Sequence, residues 1–118
     1  MSSFEKLTYW QKARLLAKEI YLLTASFPKE EQFGLTSQIR RAVISISSNI
    51  AEGYGRQYRA DYIHFLNVAR GSCYEVESQL ILSVDLGYII EEKAQKARTL
   101  CAEIGRMLNA AILSLQNK

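Results

Sequence analysis

The sequence has one Pro, one His and two Cys among its 118 residues, and only six Gly. So little turn chemistry argues against a many-stranded β protein, whose hairpins and corners draw on Gly and Pro. Cys73 and Cys101 stand 28 residues apart with no second Cys beside either, so there is no Cys-x-x-Cys pair for zinc or redox chemistry. They read as two reduced thiols packed in a core; a disulfide between adjacent helices stays geometrically open. Long apolar runs are absent too. The most apolar stretch, residues 42–51, includes Ser45, Ser47, Ser48 and Asn49 and falls short of the roughly 20 residues a membrane helix needs. Glu5, Lys6, Lys12 and Arg14 interrupt the N-terminal region, which excludes a secretory apolar segment and makes the cytoplasm the expected location. Charge of one sign is scarce as well. With 15 Lys+Arg against 12 Asp+Glu the net charge is +3, which permits nucleic-acid binding without requiring it.

Hydrophobic residues, by contrast, make up 48% of the chain, enough to build a core. The length fits one domain, 1–118. Apolar spacing is helical nearly throughout. A first segment spans about Thr8 to Ser26 with Trp10, Ala13, Ala17, Ile20 and Thr24 on one face. Pro28 marks the connection that follows. Thr36 or Ser37 is placed to cap a second helix, whose core face is Ile39, Val43, Ile46 and Ile50 and which should run to Glu52. Gly53 and Gly55 would stop it in the left-handed conformation. A third helix, Arg59 to Leu86, carries Tyr62, Phe65, Ala69, Cys73, Val76, Leu80 and Ser83 or Val84, and Gly87 ends it. A fourth, Glu91 to Gln116, buries Ala94, Ala97, Cys101, Ile104, Leu108, Ala111 and Leu115, with Glu91 and Glu92 suiting its N-terminal dipole. Steps of three and four joined by short connections predict an all-α, antiparallel up-down-up-down four-helix bundle. The longer helices should reach about 40 Å, giving a rod.

The second helix has a further face. Arg41, Ser45, Ser48 and Glu52 form a stripe opposite the core, flanked by Gln38 and Asn49. Small polar residues between Arg and Glu allow another backbone to approach and supply hydrogen bonds to it. The stripe therefore reads either as an interface between subunits or as an ordinary solvated face. Tyr54, Tyr58 and Tyr62 cluster near the joint after this helix. Tyr suits interfaces, and the same rings can also simply close the end of a bundle.

The run Phe33-Gly34-Leu35-Thr36-Ser37-Gln38-Ile39-Arg40-Arg41-Ala42, continued by Ser45-Ile46-Ser47-Ser48-Asn49-Ile50-Ala51-Glu52-Gly53-Tyr54-Gly55-Arg56, resembles one family. It is the small four-helix-bundle family named after open reading frames in intervening sequences of bacterial 23S ribosomal RNA genes. Phe27-Pro28-Lys29-Glu30-Glu31, Ala69-Arg70-Gly71-Ser72, Glu75-Val76-Glu77-Ser78-Gln79-Leu80 and Leu86-Gly87-Tyr88-Ile89 extend the likeness over almost the whole chain. Ser47 stands where many relatives have Pro, which should leave the second helix straighter. The resemblance implies a homopentamer with no established enzymatic activity and no cofactor. A related branch is similar to accessory proteins of diversity-generating retroelements, basic pentameric barrels that engage nucleic acid and a reverse transcriptase. The implied partners are thus further copies of the chain, RNA or DNA, and a nucleic-acid-processing protein such as a reverse transcriptase.

Charge is uneven along the chain. Residues 36–74 have a net charge of +3, residues 75–92 of −5 and residues 93–118 of +4. The candidates for phosphate contact are Arg40, Arg56, Arg59, Arg70, Lys93, Lys96 and Arg98, with Tyr54, Tyr58 and Tyr62 as possible stacking platforms. On one copy of net charge +3 a solvated helical surface is the better reading, and only repetition around a ring brings nucleic-acid binding level with it. Five-fold repetition would multiply a weak patch. No groove-reading motif is present, so the expected binding is sequence-nonspecific.

Catalytic signals are few. His64 has no nameable partner for base catalysis. Gly53-Tyr54-Gly55-Arg56 lacks the Gly-Lys-Ser/Thr ending of a phosphate loop and follows a helix rather than a strand. A di-iron site needs Glu-x-x-His on two helices, whereas Asp61 precedes His64 and there is no second His. Glu52, Glu75 and Glu77 read as ion-pair partners, with Glu52 meeting Arg41 or Arg56 across subunits. The expected protein is non-enzymatic and metal-free, acting as a nucleic-acid accessory or as a protein-only scaffold.

Overall fold

The structure, a computed structural model, describes residues 3–118. Four helices account for most of them: α1 (Thr8–Thr24), α2 (Leu35–Tyr54), α3 (Arg59–Asp85) and α4 (Glu91–Gln116). Short 3-10 turns at Phe4–Lys6 and Lys29–Glu31 precede α1 and α2, and there is no strand among the described residues. Each helix lies beside its neighbours in chain order, with α4 returning to α1. This is an antiparallel four-helix bundle, a rod of 46 × 23 × 22 Å. Its long axis is set by the 27 residues of α3 and the 26 of α4.

The core lies where the apolar spacing puts it on α2; on α4 Ala94, Ala97, Cys101, Ile104 and Leu108 are buried as expected, but in the last turns Ile112 is buried and Ala111 and Leu115 are only partly so. Ile39, Val43, Ile46 and Ile50 face Cys101, Ile104 and Leu108 along the axis, all fully buried. On α1 the buried set is Ala13, Leu16, Ile20, Leu23 and Thr24, with Trp10 and Ala17 only packed against it. On α3 the axis-facing residue is Leu66 rather than Phe65. Both are apolar, and Phe65 is turned instead toward α2 and Arg56, whose guanidinium carbon lies 4.8 Å from its ring centre.

Helix ends depart from expectation in two places. Neither Gly53 nor Gly55 is left-handed; α2 continues to Tyr54, and among the described residues only Gly87 has a positive φ, at 78°. Gly53 is instead a point of close approach. A Cβ there would lie 2.7 Å from Phe65 Cβ and 3.1 Å from Tyr62 Cδ1, so its missing side chain lets α3 come in against α2. Gly87 does end α3: its N–H donates to Val84 O, and Tyr88 N–H donates to Ser83 O at 2.9 Å. At the start of α2 neither Thr36 nor Ser37 caps. Glu31 Oε1 accepts from the Leu35 N–H at 3.0 Å, while Tyr88 O–H donates to Glu31 Oε2 at 2.7 Å. The Leu35 N–H first, then the Tyr88 hydroxyl, holds the Glu31 carboxyl below its usual range.

Candidate nucleic-acid interface

The outer stripe of α2 is split by the α2–α3 seam. Gln38, Arg41, Ser48 and Glu52 are exposed. Ser45 and Asn49 are half-buried and tied into the protomer: Ser45 Oγ lies 2.9 Å from Ser72 Oγ, and Asn49 Nδ2 donates to Ser45 O and Ser45 Oγ at 2.8 and 2.9 Å. Glu52 accepts from Arg56 of its own chain at 2.7 Å, one turn along the same segment. Arg41 lines a hollow of about 500 Å³ beside Tyr21, Arg40 and the exposed Ile44. Val68, one turn before Ser72, and Leu82 add exposed apolar surface to the outside of α3.

The seven candidate cations do not converge on one patch of the protomer. Arg40 is turned toward α1, donating to Thr24 Oγ1 at 2.8 Å and lying over the Tyr21 ring. Lys93 and Lys96 flank a groove between α1 and α4, with Leu22, Leu23 and Ile90 as its apolar lining. Arg56 and Arg59 sit at the end of the rod formed by the α2–α3 joint. There Arg59 donates to Leu115 O at 3.2 Å, in the last turn of α4, a carbonyl that also accepts from the Lys118 N–H at 3.4 Å. Together with Tyr58 and Lys118 they line a hollow of about 390 Å³. Tyr58 keeps an exposed ring, whereas Tyr54 and Tyr62 stack edge to face at 5.9 Å and Tyr62 O–H pairs with Tyr9 O–H. Burial pushes both phenols, Tyr9 and Tyr62, upward, so they stay protonated and close the end of the bundle.

Arg70 and Arg98 belong to a third surface, the α3–α4 seam. Arg70 Nη1 donates to Asn109 Oδ1 at 2.6 Å across the seam, and Arg98 Nε stands 3.7 Å from Glu77 Oε2. Between these ties lies a crevice of about 340 Å³ whose lining also includes Tyr74, Cys73, Cys101, Ala102, Gly105 and Arg106. A Cβ added at Gly105 would meet nothing within 4 Å. The two thiols are free and buried. Burial pushes Cys73 up to about 12 and Cys101 higher still, so both are neutral. Tyr74, Arg106 and Asn109 are the members that the core stripes do not reveal. Their signal is a second stripe beside the core, Arg70, Tyr74 and Glu77 on α3 and Ala102, Gly105 or Arg106, and Asn109 on α4, in steps of three and four.

No group of three or more His, Cys, Asp or Glu among the described residues is placed to hold a metal ion. None of the described helices is long and apolar enough to cross a membrane. His64 is exposed and lies edge-on to Phe65, with ring centres 5.6 Å apart.

Comparison with known proteins carries the sequence likeness further. No curated protein matches the chain. Among solved structures, a protein of unknown function from the S23 ribosomal protein family of Bacteroides thetaiotaomicron superposes with a TM-score of 0.80 at 30% identity. The match covers 89% of this chain and 98% of that one. The 23S rRNA-intervening sequence protein family matches residues 5–110, from the first 3-10 turn into the last turns of α4. With both the sequence and the four-helix architecture in agreement over nearly its full length, the chain belongs to the 23S rRNA-intervening sequence protein family.

Proposed function

We propose that the chain works without catalysis, as a cytoplasmic ring of five copies that holds RNA or DNA by its phosphate backbone and does not read sequence. The observation that carries this reading is the end of the rod, where Arg56, Arg59, Lys118 and the exposed ring of Tyr58 share one hollow. Cations beside an aromatic face are the elements of sequence-tolerant binding to single strands and phosphates. One such end is weak on a protomer of net charge +3. Repeated around a ring it becomes multivalent. The exposed stripe of Gln38, Arg41, Ser48 and Glu52, beside Ile44, Val68 and Leu82, supports the ring, because a patch mixing small polar and apolar side chains suits a protein interface. A nucleic-acid-processing enzyme such as a reverse transcriptase is the kind of second partner that an accessory of this design would serve.

Titration of labelled RNA and DNA at two salt concentrations tests the reading. Binding that weakens steeply with salt, and that charge reversal at Arg56 and Arg59 reduces on any sequence, is the expected result. No binding even at low salt would remove it. The groove between α1 and α4 favours a second reading in that case: Leu22 and Ile90 are 66% and 56% exposed there, as a protein-only scaffold would require.

A further inference from the structure

We infer that the α3–α4 crevice is a subsite for one unpaired base of a single-stranded nucleic acid, a preference that rests on the nucleic-acid reading above and narrows it. Four features of the crevice support this. Its volume, about 340 Å³, is at the small end of ligand pockets, which run from about 300 to 1,000 Å³, and suits a single planar ring. Its width comes from residues with little or no side chain, Ala102 and Gly105, and a Cβ at Gly105 would still point into open space. Tyr74 lines it with 70% of its surface exposed, so a ring face is available for stacking. The neighbouring thiols, Cys73 and Cys101, are uncharged and give the floor an apolar character suited to a base.

Charge at the rim is suited to the phosphates on either side of such a base. Glu77 is the one carboxylate lining the crevice, and Arg98 stands beside it at 3.7 Å. Arg70 is held across the seam by Asn109 but keeps its full charge, since Asn109 is neutral. Arg106 forms no hydrogen bond or ion pair among the described residues. Two guanidinium groups are therefore left over for anions. A base inside a duplex has both faces covered by its neighbours, so only an unstacked base can lie against Tyr74. At the end of the rod the phosphate contacts of Arg56 and Arg59 are open to single strands and duplexes alike, and the Tyr58 ring there is untouched by changes in the crevice, so a loss confined to single strands in a crevice variant reports on the crevice.

The test compares a homopolymeric single-stranded RNA with an RNA duplex of equal length by fluorescence anisotropy at low salt. It uses the full-length wild type, Gly105→Leu to fill the crevice and Tyr74→Ala to remove the stacking face. Circular dichroism and melting confirm that each variant is folded; Tyr74 is too exposed for its loss to threaten the bundle. The expected result is an approximately ten-fold loss of single-strand affinity in either folded variant, with duplex affinity unchanged. Wild-type single-strand affinity in both variants, or equal losses on single strand and duplex, would overturn the subsite while leaving nucleic-acid binding standing. Wild type that binds neither ligand would overturn the broader reading and the subsite with it.

Discussion

Toward α2, helix α3 is closed. Gly53 brings the two backbones together against Phe65 and Tyr62, and Ser45, Asn49 and Ser72 join their polar groups across the seam. Toward α4 the same helix is open, with Gly105 facing empty space and arginines bracing the gap at either end. Small residues thus do two different things within one bundle. Where a glycine meets a fixed neighbouring atom it permits contact, and where it meets nothing it leaves room. The closed flank fixes the protomer and carries the outward face of α2. The open flank leaves space for a ligand.

The largest expected effect concerns the axis that both flanks share. Leu66→Ala removes a fully buried side chain and should lower stability by about 2–5 kcal/mol in urea unfolding. Phe65→Ala, on the partly exposed α2 side, should cost less; the reverse order would show that α3 has been placed one residue out of register. Next, Gly53→Ala should destabilise by about 1–3 kcal/mol, because Phe65 Cβ is fixed to its backbone and the two helices would have to move apart. Gly105→Ala should instead stabilise by about 0.5–1 kcal/mol, the ordinary helix preference of Ala over Gly. Similar values for the two glycines would erase the distinction between the flanks. A double-mutant cycle on Ser45→Ala and Ser72→Ala should give a coupling of about 0.5–1.5 kcal/mol, with no coupling between Ser45→Ala and Gly105→Ala.

The smallest effect lies outside both flanks, at the solvated cap of α2. The Glu31 carboxyl titrates below its ordinary value of 4.5 in the folded chain, so its contribution is complete above that pH and is lost as pH falls through the lower folded value. Glu31→Gln should accordingly shift the melting midpoint slightly at neutral pH and leave a shallower decline in acid. An acid decline as steep as that of wild type would remove Glu31 as the cap.

The bundle was legible in the sequence because the buried faces of α2 and α4 are almost wholly apolar at regular steps of three and four. Helix α3 was read one residue off at Phe65 because apolar side chains also occur on its outer surface, at Val68, Ile81 and Leu82, which blurs its single stripe. The roles of the glycines were not legible. A sequence shows that position 53 has no side chain, but only the packed neighbour shows that Phe65 occupies the space. The same limit applied to the candidate site. Arg70 was visible as a cation, while its grouping with Tyr74 and Arg106 depends on how α3 and α4 align side by side.

The proposed ring requires that the outward face of α2, with Arg41 at its middle, pack against another copy of the chain. Light scattering on the purified protein and on Arg41→Glu tests it most directly. The expected result is a wild-type particle of five times the 13.4 kDa protomer mass and a smaller one for the variant at unchanged helicity. A wild-type particle of one protomer mass at high concentration, or a variant with the same mass as wild type, would contradict it.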